Sequence, residues 1–221
     1  MLIEPKLKEI RERLLTMADL AQSMIDSAIK AIVEHNLEHL KYIKTNEEKM
    51  DTMEVENESL IITTIARYQP EAKYLRMLAM DLFVNRDLER IGDHAENIKE
   101  HAESILQKPK IKEYVDLPLM SELTINMLKD SIKAFAEMDA DLARDVIKRD
   151  GKIDALEDQI IRELYTYMVE DPSTIKVALR LIDVVKNVER VADIATNLAE
   201  EVIYMKEGKM LRHQEVDEDK G

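Results

Sequence analysis

The sequence predicts an all-α fold of six long antiparallel helices, arranged as two tandem pseudo-symmetric three-helix bundles. Three observations predict it. Apolar residues recur at 3–4 spacing along nearly the whole chain, the period of a helix with one buried face. Aromatic residues make up only 4%, with 13 Met, 4 Gly and no Trp, which departs from the aromatic and β-branched habit of sheets. The second half of the chain repeats the first.

The elements follow in order. Leu7, Ile10, Leu14, Met17, Leu20 or Ala21, Met24, Ile25 and Ile29 predict a first helix over residues 6–35. His35-Asn36 predicts a corner, because Asn favours caps and turns, and a second helix then runs over 37–68. Proline is tolerated in a first turn and breaks a helix interior, so Pro70 opens a third helix over 70–106. KPKIKEYVDLP, with a proline near each end, is a linker. Helices four, five and six are predicted over 118–138, 139–170 and 172–206, the last opened by Pro172. The polar segment after them is expected to be disordered. The division is thus 1–108, a linker at 109–117, 118–206, and a tail at 207–221. A helix of about 30 residues is about 45 Å long, and the short turns imply near-antiparallel packing.

The repeat is sharpest where chemistry could reside. LERIGDHAENI at 88–98 aligns with VERVADIATNL at 188–198 at an offset of 100, matching Glu89 with Glu189, Arg90 with Arg190, Asp93 with Asp193 and Asn97 with Asn197. At an offset of 103, Ile29-Lys30-Ala31 matches Ile132-Lys133-Ala134, and Lys49, Asp51 and Glu54 match Lys152, Asp154 and Glu157. Glu and Asp four apart share a helix face, and such a like-charged pair costs an isolated helix roughly 0.2–0.5 kcal/mol. An unfavourable pair written twice points to a cation. Glu89, Asp93 and Asn97 step by four, as do Glu189, Asp193 and Asn197, so that all six residues offer side-chain oxygens on a common face of their helix. Asp51 and Glu54, and Asp154 and Glu157, would converge on them from the second and fifth helices. Four or five such oxygens suit Fe, Mn, Mg or Ca, or Zn with fewer ligands. The alternative is a solvated charged face with Arg90 and Arg190 as partners. Gly92, mid-helix, reads as a site of tight helix packing. His94 lies beside the first carboxylate pair but is matched by Ile194, and His35 and His39 are placed near a helix junction. The methionines read as core.

Composition excludes several classes. With net charge −14, the chain lacks the clustered Lys and Arg that phosphate backbones require, so nucleic acid is not the main partner. There is no cysteine, so disulfides, thiolate metal sites and a Cys nucleophile are excluded. MLIEPKLKEIRER has no apolar h-region, and no apolar run approaches the ~20 residues that span a bilayer, so a cytoplasmic protein is expected, touching a membrane only through partners. Glu-x-x-His of the ferritin-like di-iron bundles, GxGxxG, the P-loop, HExxH and GxSxG do not occur.

RDLERIGDHAENI at 86–98, NVERVADIATNLAEEVIYMKEG at 187–208, MDTMEVE at 50–56, IDALEDQ at 153–159 and QPEAKYLR at 69–76 resemble the signatures of the PhoU family, in order, from about Leu7 to Gly208. The resemblance implies two tandem three-helix bundles and a non-enzymatic regulator of phosphate uptake and homeostasis. It implies negative regulation of the phosphate regulon through the ATPase subunit of the phosphate ABC transporter and a phosphate-sensing histidine kinase. It further implies iron or zinc clusters on the carboxylate motifs. Glu89, Asp93, Glu189 and Asp193 would then be ligands, Asp51, Glu54, Asp154 and Glu157 would support them, and Asn97 and Asn197 stand at the margin. Ile194 occupies a position where members often carry His, which weakens the second site. Long amphipathic helices also leave room for a homodimer. The rival readings are a carboxylate-bridged di-metal enzyme and a metal-free structural adaptor.

Overall fold

In a computed structural model of the chain, which describes residues 3–207, six α-helices carry the fold: α1 Glu4–Glu34, α2 Ile43–Tyr68, α3 Ala72–Ile105, α4 Asp116–Glu137, α5 Ala140–Glu170 and α6 Ile175–Glu207. No strand occurs among the described residues. The tail expected from 207 onwards lies outside them, except that Glu207 is the last residue of α6.

The helix ends are written in the sequence, and the same corner is used twice. α1 ends at His35 with φ 54°, and the Asn36 amide reaches back to the Ala31 carbonyl at 2.9 Å. α4 ends at Met138 with φ 53°, and the Asp139 amide reaches the Ala134 carbonyl at 2.9 Å. These are paired closures of a helix by a left-handed residue, 103 positions apart. The two corners then diverge. The Asp139 carboxylate accepts from both the Asp141 and Leu142 amides, and α5 starts at once. Asn36 accepts only from the Glu38 amide at 3.0 Å, and the chain makes a 3₁₀ turn, Leu37–Leu40, before α2 begins at Ile43. The second helix therefore starts six residues later than the periodicity predicts, since one cap bond holds fewer of the orphan amides of a first turn than two do. Pro70 likewise precedes α3 rather than opening it, because the chain leaves α2 through left-handed Gln69. Pro172 opens a 3₁₀ turn, Pro172–Thr174, that leads into α6.

α1 packs on α2 and α3, and α4 on α5 and α6. The two bundles join along α1 with α4 and along α3 with α6. α3 and α6 lie antiparallel at the centre, since His94 meets Asn187 and His101 meets Arg180. Ile10, Leu14, Met17, Ala21, Met24, Ile25, Ala28 and Ile32 of α1 are at most 1% exposed. Ala21 rather than Leu20 takes the core position. Phe135 of α4, 1% exposed, sits 5.4 Å beneath the Arg11 guanidinium of α1, and Arg11 Nη1 donates to the Ala136 carbonyl at 3.1 Å.

Gly151 stands exposed in the middle of α5 with open space where a Cβ would project. Gly in a helix interior costs about 0.5–1 kcal/mol relative to Ala. Gly151→Ala is therefore expected to raise the unfolding free energy by about that much, as read from denaturant melts.

Candidate functional site

Two acidic seams run along the bundles, one where α2 meets α3 and one where α5 meets α6. In the first, Asp51 and Glu54 of α2 face Glu89 and Asp93 of α3. Burial pushes Glu89 up to about 7, and the charges of Asp93, Glu54 and Asp51 push the same way against Arg86. Burial also raises Glu54, with Glu58, Asp51 and Asp93 adding to it against Arg86. In the second seam, Asp154 and Glu157 of α5 face Glu189 and Asp193 of α6. Burial pushes Glu189 up to about 7, joined by Asp193, Glu157 and Asp154. Burial and then Asp193 raise Asp154, and burial raises Glu157 against Lys186. The eight predicted carboxylates are thus brought together four by four.

Two further acids belong to these seams and were not legible from the repeated Glu-x-x-x-Asp motif. Glu47 is raised by burial and by Asp51, Glu96 and Asp93. Asp150 is raised by burial and by Asp154, Asp193 and Glu200, while Thr196 donates to it at 3.1 Å. The signal was present, because Glu47 and Asp150 match at the offset of 103 and each lies one turn before Asp51 or Asp154. Glu96 also faces the first seam. Lys99 holds its Oε1 at 3.0 Å, while its Oε2 is buried without a hydrogen-bond partner.

Asn97 and Asn197 do not join the carboxylates. Each step of four residues rotates a side chain by about 40° around a helix, so the eighth position stands about 80° away from the first. The seventh position returns to within about 20°, which is why Glu96 continues the stripe and Asn97 leaves it. Asn97 instead lines a groove between α3 and α6 with Lys186 and Arg190, and Asn197 lines its counterpart with Arg86 and Arg90.

Nor do the arginines neutralise the seams. Arg90 turns to Asp87 at 3.0 Å. Among the described residues, none of the ten carboxylates at 47, 51, 54, 89, 93, 150, 154, 157, 189 and 193 has a Lys, Arg or His nitrogen within 4 Å, whereas ion pairs are frequent elsewhere, as at Lys30–Asp26 and Arg149–Asp130. His94 also faces away, its Nδ1 2.9 Å from Asn187 Oδ1, and burial lowers its pKa. His35 is the left-handed residue of the first corner, and His39 pairs with Glu34 at 2.7 Å, so these two histidines form no joint site.

Close packing frames the first seam. A Cβ at Gly92 would meet Met50 Sδ at 3.0 Å and Cε at 3.1 Å, so α2 and α3 approach through this glycine. Beneath the acids a buried polar chain fixes the register of the two helices. Asn57 donates to Asn85 at 2.9 Å, Asn85 donates to the Glu54 carbonyl at 2.9 Å, and Arg13 Nε donates to Asn57 at 2.6 Å.

The donors in each seam are oxygens, crowded, partly desolvated and without a compensating cation at ion-pair distance. That chemistry fits a cation taking oxygen ligands. The orphaned Glu96 oxygen fits it as well. The fit is one of charge and donor type, because among the described residues no three His, Asp or Glu side chains close on a single point as metal ligands do. No helix among the described residues is long and apolar enough to cross a membrane.

Known proteins share this architecture. The family model of the PhoU domain matches residues 14–102 and again 117–202. The chain is 41% identical over 213 residues to the phosphate-specific transport system accessory protein PhoU homolog of Aquifex aeolicus, covering 96% of each chain. It is 32% identical to the phosphate-specific transport system accessory protein PhoU of Escherichia coli, over 96% of this chain and 88% of that one. The crystal structure of PhoU from Pseudomonas aeruginosa superposes with a TM-score of 0.90 at 30% identity, covering 94% of this chain and 100% of the other. With two matched repeats, relatives aligned from end to end and the same helical architecture, the chain belongs to the PhoU family.

Proposed function

We propose that this protein is a cytoplasmic, non-enzymatic regulator of phosphate uptake. In this reading it docks on the ATPase subunit of a phosphate ABC transporter and on a phosphate-sensing histidine kinase, restraining the phosphate regulon. Relatives named as accessory proteins of phosphate-specific transport support the role. The observation that carries the chemistry is the pair of acidic seams whose carboxylates have no Lys, Arg or His nitrogen at ion-pair distance among the described residues. Glu89, Asp93, Asp51 and Glu54 in one, and Glu189, Asp193, Asp154 and Glu157 in the other, would hold iron or zinc, with Glu47 and Asp150 at the edge. A bound cation removes the mutual repulsion of these acids and converts two negative stripes into surfaces that a partner can meet.

Elemental mass spectrometry tests this. The wild type is compared with a variant carrying Glu89→Gln, Asp93→Asn, Glu189→Gln and Asp193→Asn, after equal exposure to iron, zinc and manganese. Stoichiometric metal in the wild type and its loss in the variant, with helicity unchanged, is the expected result. Equal metal in both, or none in either, rejects the cluster and leaves the seams as bare docking surfaces.

A further inference from the structure

The pseudo-symmetry that doubles the acidic seams also doubles a groove between α3 and α6, and the two copies differ in charge. One groove, about 600 Å³, has Arg86 and Arg90 of α3 on one wall, with Asn197, Glu200 and Glu201 of α6 opposite. Its twin, about 270 Å³, has the equivalent Lys186 and Arg190 of α6, with Asn97 and His101 of α3 opposite. In the first groove the basic pair faces three carboxylates, Asp87, Glu200 and Glu201, and Asp87 takes Arg90 at 3.0 Å. At the offset of 100, Asp87 becomes Asn187 and Glu201 becomes His101. Two of the acids that neutralise one groove are therefore replaced by neutral groups in the other, and Phe83 becomes Asp183, which leaves Lys186 and Arg190 against one carboxylate.

What remains is a cationic recess on a chain of net charge −14. Among the described residues neither Lys186 nor Arg190 has a carboxylate within 4 Å, although Lys186 is near enough to Glu157 to pull that carboxyl down. Asn187 is held in place, its Nδ2 donating to the Asp183 carbonyl at 2.8 Å and its Oδ1 facing His94. Guanidinium, ammonium and amide groups around one recess are the donors that a tetrahedral oxyanion takes. About 270 Å³ is the space of about nine waters, enough for one such ion and part of its hydration.

One further group narrows the ligand. Asp183, the single carboxylate lining this groove, lies 3.8 Å from both Arg180 and His101. A carboxylate accepts hydrogen bonds and offers none when ionised. Hydrogen phosphate carries a proton to give it, and sulfate carries none at neutral pH, so the same side chain that binds one repels the other. We propose that the groove formed by Asn97, His101, Lys186 and Arg190, with Asp183 as a selector, is a binding site for orthophosphate. The inference rests on the phosphate-transport reading only in the choice of first probe. Its test is direct binding, which succeeds or fails whatever the metal content of the acidic seams.

Isothermal titration calorimetry of the full chain with orthophosphate and with sulfate, at constant ionic strength, decides it. Chelator-treated and cation-loaded protein are both titrated, so that phosphate bridged through a metal is recognised by its loss on chelation. The expected result is saturable one-to-one phosphate binding in both samples and about tenfold or weaker binding of sulfate. Lys186→Gln with Arg190→Gln is expected to weaken phosphate binding about tenfold or more, while Arg86→Gln with Arg90→Gln leaves it unchanged. Asp183→Asn is expected to bring sulfate level with phosphate. Helicity is checked for each variant, and all the substituted side chains lie at the groove surface. Absence of saturable binding by the chelated protein overturns the proposal. Equal losses in the two paired variants, or wild-type binding of sulfate as tight as that of phosphate, overturns it equally.

Discussion

Replacing Asp81 with Asn is expected to remove that residue's own share of the pH dependence of stability, about 4 kcal/mol between the ordinary carboxyl range and neutrality. Asp81 of α3 is 0% exposed, and neither of its carboxylate oxygens has a hydrogen-bond partner. Burial pushes it from 3.8 up to about 7, only partly opposed by the Arg11 charge. Arg11 itself is turned toward α4, donating to Ala136 and lying over Phe135. A carboxyl whose folded pKa lies above its unfolded one keeps its proton in the folded chain after the unfolded chain has released it. Stability is therefore full below about 3.8, falls as pH rises toward 7, and levels off above that. Asn has nearly the same shape and no charge to desolvate, so Asp81→Asn is expected to gain most at pH 8 and little at pH 4. Urea melts across that range check it, and parallel curves for the wild type and the variant would reject it. The equivalent residue in the second bundle is Leu181, 2% exposed, so the fold does not need an acid at this position.

A divalent cation that enters the acidic seams is expected to stabilise the protein by about 2.7 kcal/mol per seam at about a hundred times its Kd, and to do so more strongly at pH 8 than at pH 5.5. The sign follows from the same linkage. Glu89 and Glu189 are raised to about 7, so near pH 5.5 they hold protons that a cation must displace. Without cation, the cost of burying the ionised carboxylates, and after it their mutual repulsion, makes the seams less stable as pH rises from about 4.5 toward 7. Because Asp81 titrates over an overlapping range, the experiment is best done in the Asp81→Asn background, by thermal unfolding with and without cation. The variant lacking the four motif carboxylates is expected to show no cation-dependent shift. An equal shift in that variant would place the stabilising ion elsewhere on the acidic surface.

The sequence by itself determined the six helices, the repeat and most of their ends. These are local properties, namely the 3.6-residue period, the corner at His35-Asn36 and the breaks at the prolines, whereas the left-handed backbone of His35 and Met138 and the cap at Asp139 came with the structure. It also determined that eight carboxylates would form two matched groups, because the pattern is written on two helices of each bundle at constant offsets. What it could not assign is which neighbour each exposed face meets. A step of eight looked like a continuation of the stripe, yet helix rotation carries Asn97 and Asn197 toward the other bundle and leaves Glu96 on the seam. Glu47 and Asp150 entered only when α2 and α5 lay against α3 and α6. The buried Asp81 sits in a helix whose pattern reads as an ordinary charged position, and only the packing of neighbouring helices strips it of water. The groove is further still from local sequence. Its charge depends on Lys186 and Arg190 meeting Asn97 and His101 from roughly ninety residues away, and on which acids their pseudo-symmetric equivalents kept. Periodicity fixes the direction of a side chain relative to its own helix axis, whereas desolvation and charge balance are set by what the neighbouring helix brings, and that is decided by tertiary packing alone.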